Sequence, residues 1–261
     1  MTKIRLTVLG CGSSSGTPVI GCPCPVCTGS NPKNRRSRCS AWLDISGQGW
    51  QIDTGPDFRS QALREALPRI DGVLYTHPHA DHLNGIDDLR AFCYRQQSSI
   101  PIYGSDFTLA NITERFHYAF YPPSSHWNRP VLEARTLSDG LKLNGVPLQY
   151  FDMPHGHWPT TAYRIGNIAW LTDINHISDA QIAALQGLDH LFIDCLSERP
   201  YPSHLSFEQA CDYARRIGAK QSWLIHMTHA LDYNDLLARS PQGIAPAYDG
   251  LTVECDYSIP A

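Results

Sequence analysis

Residues 76–82 read Thr-His-Pro-His-Ala-Asp-His, and this stretch is the strongest indication of the fold. It follows the apolar, strand-like segment 72–75 and precedes residues 83–86, where a helix is predicted to begin. Two histidines at positions i and i+2 of an extended backbone project to the same side, so both can reach one cation. The aspartate and histidine that follow, Asp81 and His82, are expected on the next turn, offset toward a second cation. Packing explains this group poorly, because each buried ring or carboxylate would need its own partner. The candidate ligands are His77, His79, Asp81 and His82.

Further candidate ligands follow apolar segments downstream. Asp173 ends one such segment with a carboxylate suited to bridge two cations, and His226 ends another with an imidazole. A third segment is followed by two histidines, His155 and His157, and their position after the strand does not choose between them. Because these side chains repeatedly lie just beyond predicted strands, the sequence predicts one shared metal site.

The rest of the chain alternates short apolar segments with helix-like stretches. The predicted strands are Ile4–Leu9, Ala41–Ile45, Trp50–Asp53, Gly72–Tyr75, Leu148–Asp152, Ala162–Ile165, Ile168–Thr172, Leu191–Asp194, Ser222–Ile225 and Leu251–Glu254. The predicted helices are Phe58–Leu67, Asp87–Arg95, Phe107–Tyr118, Asp179–Gln186, Phe207–Ile217 and Tyr233–Ala238. This pattern is typical of a strand-rich α/β protein. We find no internal repeat and no shift in composition, so we expect a single domain over residues 1–261.

The order of the candidate ligands resembles that of the metallo-β-lactamase superfamily. The resemblance implies an α/β fold of the four-layer αββα sandwich type, with two metals at one edge of the paired sheets. The residues that would bind the first metal are His77, His79 and His155. Those that would bind the second are Asp81, His82 and His226, with Asp173 as the bridge. His155 is preferred to His157 because residues 155–165 resemble the family's His-Gly…Gly-Tyr-Arg-Ile pattern, although Ala162 replaces the usual second glycine.

A second cluster of potential ligands places Cys22, Cys24 and Cys27 within six residues. Nine cysteines and no export-type leader favour reduced thiols over a disulfide framework. Closely spaced thiolates predict a structural zinc with a fourth ligand from elsewhere in the chain. The alternative interpretation is that the three cysteines are merely small buried residues. The cluster resembles that of the PhnP-type phosphodiesterases, a branch of the superfamily. There, a histidine three positions after the last catalytic ligand joins the thiols, which here is His229.

Three further features resemble the same branch, which also includes ribonuclease Z. Residues 9–18 resemble its glycine-rich opening loop, and Asp53 resembles a structural aspartate at a strand end. His204 precedes a predicted helix, where PhnP-type enzymes carry a catalytic histidine outside the metal shell. The resemblance implies a phosphodiesterase with two catalytic metals that hydrolyses small, cyclic phosphodiesters through a hydroxide held between them. His204 and Asp81 are the candidate catalytic residues.

Ligand chemistry and charge restrict the cofactors and partners. Histidine and aspartate ligands suit zinc, manganese or iron at the two catalytic positions, in addition to one structural zinc. A net charge of −4 and a pI near 6.3 argue against nucleic acid, so we expect a small-molecule phosphodiester substrate. No stretch approaches the roughly 20 apolar residues of a membrane span, and we expect a cytoplasmic protein. Family habit suggests a homodimer.

Other functions remain open. The same metal site could hydrolyse thioesters or lactones, or process transfer-RNA 3′ ends, and a non-catalytic metal-binding accessory protein could keep the fold. The basic cluster Lys33–Arg38 is interpreted as a solvated loop, with steering of an anionic substrate as the alternative. The aromatic, proline-rich segment Tyr118–Trp127 is predicted to be a loop packed onto the body, or else a lid over the substrate.

Overall fold

The computed structural model describes residues 1–125 and 128–258. Within these ranges the strands are β1 Thr2–Gly10, β2 Ser40–Ile45, β3 Gln48–Ile52, β4 Gly72–Leu74, β5 Ile100–Gly104, β6 Leu132–Thr136, β7 Lys142–Leu143, β8 Val146–His155, β9 Trp158–Ile165, β10 Ile168–Leu171, β11 His190–Asp194, β12 Gln221–Ile225, β13 Ile244–Pro246 and β14 Thr252–Tyr257. The α-helices are α1 Pro25–Thr28, α2 Phe58–Arg64, α3 Ala80–Leu83, α4 Leu89–Gln96, α5 Asp106–Arg115, α6 Asp179–Ala184, α7 Phe207–Ile217 and α8 Tyr233–Arg239. Short 3₁₀ turns lie at Pro32–Asn34, Ile86–Asp88 and His117–Phe120. None of these helices has the length and apolar character needed to cross a bilayer.

The strands form two seven-stranded sheets that are built alike. The order in the first sheet is β14-β1-β2-β3-β4-β5-β6, and in the second it is β13-β12-β11-β10-β9-β8-β7. In the first sheet the pairs from β14 to β3 are antiparallel and those from β3 to β6 are parallel. In the second sheet the pairs from β7 to β10 are antiparallel and those from β10 to β13 are parallel. Each sheet therefore combines an antiparallel half with a parallel half.

Apolar residues of the two sheets share one core. Leu6 and Ile52 from the first sheet belong to the same buried cluster as Trp170 and Phe192 from the second. On its other face the first sheet is covered by α2, α4 and α5, whose residues form a separate cluster around Phe58. On the second sheet, α7 buries alanine, cysteine and isoleucine side chains at helical spacing. The layers are helix, sheet, sheet and helix, which confirms the predicted four-layer αββα sandwich.

All ten predicted strands and all six predicted helices are present, with ends that differ by a few residues. Among the strands of the described residues, the sequence did not predict β5, β6, β7 and β13, and of these only β5 lies inside a sheet, between β4 and β6. β6 and β13 are edge strands, and β6 has mostly exposed or half-buried side chains, so its sequence lacks the apolar run expected of a buried strand. Ser178 and Ser206 each form a capping box with the glutamine three residues later, which explains why α6 and α7 begin where predicted.

The aromatic segment Tyr118–Trp127 is only partly described. It begins within the 3₁₀ turn His117–Phe120 and continues without regular structure through residues 121–123. Its last two residues, His126 and Trp127, lie outside the described part of the chain. The interpretation of this segment as a loop agrees with the residues that are described, whereas a role as a lid stays a prediction.

Candidate metal centre and active site

The candidate ligands converge at the ends of strands from both sheets. β4 leads through residues 75 and 76 to His77, and β8 ends at His155. β10 leads to Asp173 and β12 to His226, and both residues adopt left-handed backbone conformations, with φ of 57° and 58°. Non-glycine residues adopt this conformation at a cost in energy, and such positions cluster at functional sites.

The first set of ligands consists of three histidines. His77 Nε2 lies 2.9 Å from His79 Nδ1, and the ligand atoms of these two rings and His155 all lie within 4.8 Å of one another. His155 Nδ1 donates a hydrogen bond to Ser203 O at 2.8 Å, which leaves its Nε2 atom for a metal. His157 is exposed on the hairpin turn that follows. The structure therefore brings His155, the preferred candidate, into this set.

The second set of ligands combines a carboxylate with two imidazoles. Asp81 Oδ2 lies 3.3 Å from His82 Nε2 and 3.7 Å from His226 Nε2. Within the described residues, His82 Nε2 and both ring nitrogens of His226 are buried and have no hydrogen-bond partner. Buried polar atoms without a partner are costly, so this donor set fits a bound cation.

Asp173 lies between the two sets. Its Oδ2 atom is 3.2 Å from His82 Nε2, and its Oδ1 atom is 3.4 Å from His226 Nε2. The same Oδ1 atom is 3.7 Å from His155 Nε2 and 3.9 Å from His77 Nε2. One buried carboxylate thus faces imidazoles of both sets, which is the geometry that a bridging ligand requires.

Asp53 supports the second set from behind. His82 Nδ1 donates to Asp53 Oδ2 at 2.7 Å, which directs Nε2 of the same ring toward the cluster. Thr76 holds the aspartate through its backbone N–H and its hydroxyl, each at 2.8 Å. Asp53 is completely buried with a φ of 55° at the end of β3, so the structural role expected from the sequence is specifically to orient a candidate ligand.

His204 faces the cluster from the loop before α7. Its ring stacks on His226 with centroids 4.8 Å apart, and its Nδ1 donates to Asp194 Oδ2 at 2.8 Å. Its Nε2 lies 3.9 Å from Asp173 Oδ1. His155, Asp173 and His204 also form a group compact enough to hold a metal, so the geometry suits a proton donor or an additional ligand.

Asp194 is a residue of this site that the sequence reasoning missed. Asp194 is the last residue of β11, and Asp173 similarly comes shortly after β10. An acidic residue at the end of a predicted strand was therefore the sequence feature that could have identified Asp194. Besides His204, its Oδ2 atom accepts a hydrogen bond from the backbone N–H of Ile174 at 3.1 Å. It therefore fixes both the His204 ring and the residue after the candidate bridge.

Burial and neighbouring charges set the protonation of the cluster. Burial lowers the pKa values of His77, His79 and His155, which favours the neutral imidazoles that bind metals. Burial alone would raise the pKa of Asp173. Electrostatic attraction to the rings of His226 and His82 has the larger effect and holds this pKa well below its usual range. Asp173 is therefore a carboxylate, as a bridging ligand must be.

The cysteine cluster is a separate, more superficial group. Cys22 Sγ and Cys24 Sγ each lie 3.3 Å from His229 Nδ1, and the ligand atoms of these residues and Cys27 lie within 4.8 Å of one another. A hydrogen bond with His229 is the main cause that lowers the pKa of Cys24 to about 6, whereas burial raises that of Cys27. Three thiols and one imidazole at this spacing fit tetrahedral zinc. All nine cysteines lie in the described residues and are free thiols.

The basic cluster Lys33–Arg38 supports the segment between the two candidate metal sites. The Arg36 guanidinium is buried and donates to Thr228 O at 3.0 Å and to Leu231 O at 2.7 Å, on either side of His229. Arg38 instead forms an ion pair with Asp57 at 3.0 Å. The interpretation of this cluster as a solvated loop is therefore wrong for Arg36, because backbone carbonyls of a distant loop replace water around its charge.

Comparisons with known proteins show the family of this chain. Residues 51–227 match a family model described as Beta-lactamase superfamily domain. The chain is 35% identical over 97% of its length to a protein named octanoyltransferase from Porphyromonas gingivalis, and it spans 52% of that relative. A crystal structure described as a new diphosphatase from the PhnP family is 36% identical, covers 99% of this chain and 100% of that one, and has a TM-score of 0.92. Human tRNase Z, short form, shares the fold at 17% identity, with 98% of this chain and 100% of that one covered and a TM-score of 0.70. This chain therefore belongs to the metallo-β-lactamase superfamily of metal-dependent hydrolases, in the branch that contains the PhnP family.

Proposed function

We propose that this protein is a phosphodiesterase that uses two divalent metals, manganese or zinc, to hydrolyse small, cyclic phosphodiesters. The observation that carries the proposal is the position of Asp173, whose carboxylate oxygens face both sets of imidazoles while His204 Nε2 faces the same carboxylate. The PhnP-family diphosphatase, similar over the whole chain, supports chemistry at phosphorus. We further propose a structural zinc at the cysteine cluster.

The residues of the site divide the work of hydrolysis. Two divalent cations held there would lower the pKa of water and neutralise charge on the phosphodiester. Asp173 and the two sets of ligands would hold them in place. His204 would donate a proton from Nε2 to the leaving oxygen, because Asp194 fixes Nδ1 of the same ring. Stacking on His226 keeps the His204 ring in this orientation.

A second candidate function is hydrolysis of an acyl ester or thioester. The observation that favours it is the name octanoyltransferase, borne by a relative similar to 97% of this chain. Nearly half of that relative lies outside the match, however, and the transferase activity can reside there. The buried His204–Asp194 pair is better suited to protonate a departing alkoxide than a thiolate, which leaves readily without a proton. We therefore rank this candidate second.

Turnover of two substrate classes tests the choice. The purified protein is analysed for bound metals and assayed with Mn²⁺ or Zn²⁺ on 2′,3′-cyclic AMP, bis(p-nitrophenyl) phosphate and octanoyl-coenzyme A. We expect about three metals per chain and a kcat/KM for the diesters well above that for the thioester. Full metal loading with rapid thioester cleavage and no diester cleavage would instead favour the second candidate.

His204→Ala tests the proton donor directly. We expect kcat for a diester with a poor leaving group to fall about 100-fold or more, because general acid catalysis typically contributes that much. The metal content should not change. Elemental analysis beside steady-state kinetics measures both quantities, and His176→Ala, which removes an exposed histidine elsewhere, serves as the control. Loss of one metal in His204→Ala would assign this residue as a ligand.

A further inference from the structure

Trp158 is an exposed aromatic residue at the edge of the candidate active site. The residue is 42% exposed, and of the five tryptophans that the structure describes it is the most exposed. It opens β9 and pairs in register with His155, a candidate ligand of the first metal. A large indole in water at this position has no evident role in the core.

Two aromatic neighbours hold the indole in place without stacking on it. The His79 ring lies 5.3 Å from it at an interplanar angle of 50°, and the Phe107 ring lies 5.3 Å away at 69°. Phe107 lies in the first turn of α5 and is itself 40% exposed. Because neither neighbour is parallel to the indole, neither uses the face-to-face contact that a planar ligand would make.

We propose that Trp158 is the base-binding platform of this site, so that the substrate is a nucleotide whose base stacks on the indole. This inference rests on the proposed function, because the phosphodiester would lie at the metals beside His79 and His155. A base attached to that phosphodiester through its ribose then extends over the rim at Trp158. Stacking on an exposed aromatic ring accepts every base, since each base presents a π-face.

The surroundings favour a planar base over a second anionic group. In the described residues the rings in contact with Trp158 are those of His79 and Phe107, its register partner is His155, and no arginine or lysine lies over the indole. An additional phosphate would need cationic or backbone N–H donors. An apolar, rigid ring instead provides contact area at a low cost in conformational entropy.

Equilibrium binding to the metal-loaded protein tests the platform without relying on turnover. The dissociation constants of adenosine 3′-monophosphate and of ribose 3-phosphate, which differ only in the base, are measured for the wild type. The same is done for Trp158→Leu, which keeps apolar bulk, and for Trp158→Phe, which keeps an aromatic face. Tyr94→Ala on α4, a helix without site residues, is the control. Elemental analysis verifies that each variant keeps its metals.

We expect the wild type and Tyr94→Ala to bind the base-bearing ligand about tenfold more tightly than the base-free one. Trp158→Leu should lose this preference, and Trp158→Phe should keep most of it. Equal binding of both ligands by the wild type, or an unchanged preference in Trp158→Leu, would overturn the platform. If the preference is present but no diester is cleaved, the proposed function fails while the base site stands.

Discussion

The candidate metal centre formed by histidines and aspartates, here called the His/Asp cluster, is joined to the cysteine cluster by residues 226–229. His226 belongs to the first cluster and His229 to the second, yet the two clusters are held in different ways. In the His/Asp cluster most candidate ligands follow strands, and hydrogen bonds that the rings of His82 and His155 donate to Asp53 and to Ser203 O orient these rings. In the cysteine cluster the thiols lie on a loop and on the four-residue helix α1, and two of the three are only half-buried. The sheets therefore arrange the first site in advance, whereas we expect the second to depend on its ion for order.

Asp173→Asn should disrupt metal binding and activity at the His/Asp cluster more than any other substitution considered. Asparagine tolerates the left-handed backbone at this position, so the change removes the negative charge with little added strain. We expect diesterase activity to fall on the order of a thousandfold, beyond the roughly 10–100-fold loss typical of residues that only support a ligand. Elemental analysis should show loss of catalytic metal while zinc at the cysteine cluster remains.

Asp152→Asn is the matched control for this change, because Asp152 is an exposed aspartate in β8. Its activity and metal content should equal those of the wild type. If Asp173→Asn kept both catalytic metals and full activity, the carboxylate would not be the bridge. If it also lost the zinc of the cysteine cluster, the two sites would not be independent.

Asp53→Asn should have an intermediate effect. The variant keeps a side chain that can accept from His82 Nδ1 and again suits a positive φ, but it removes the charge that orients the imidazole. We expect the Mn²⁺ concentration for half-maximal activity to rise about 10–100-fold, with activity largely restored at saturating metal. Metal titration of activity measures this shift, and Asp139→Asn in an exposed turn is the control. A loss that no metal concentration restores would indicate that Asp53 is needed for folding.

Most candidate ligands of the two clusters could be predicted from the sequence, because they are chemically distinctive residues and those of the His/Asp cluster mostly follow strands. Packing does not explain the three histidines and one aspartate within residues 77–82, or the later Asp173. Three thiols within residues 22–27 likewise mark the cysteine cluster. The helices α6 and α7 were equally clear, since each follows a serine, Ser178 or Ser206, and the structure shows both serines as N-caps.

The features that were missed depend on contacts between distant segments. Asp194 looks like any acidic residue after a strand until the loop before α7 places His204 2.8 Å from it. Trp158 lies outside the strand predicted at Ala162–Ile165, and its ring contact with Phe107 arises only when the fold brings the start of α5 to the start of β9. Arg36 looks solvated within a basic cluster, and only the fold shows carbonyls around it. Local pattern carries no information on such partners.

Cys24→Ser should have the smallest effect on catalysis and the clearest effect on the second site. We expect one zinc to be lost and the midpoint of thermal unfolding to fall by about 5 °C, equivalent to about 2 kcal/mol for a chain of this size. Activity should fall less than tenfold, because β12 and the buried Arg36 still hold the segment on either side of His229. Ile20→Ser, a fully exposed position in the same loop, should change neither quantity. Retention of all metals would exclude zinc at the cysteines, and a collapse of activity to the level of Asp173→Asn would show that the sheets do not hold His226 without that zinc.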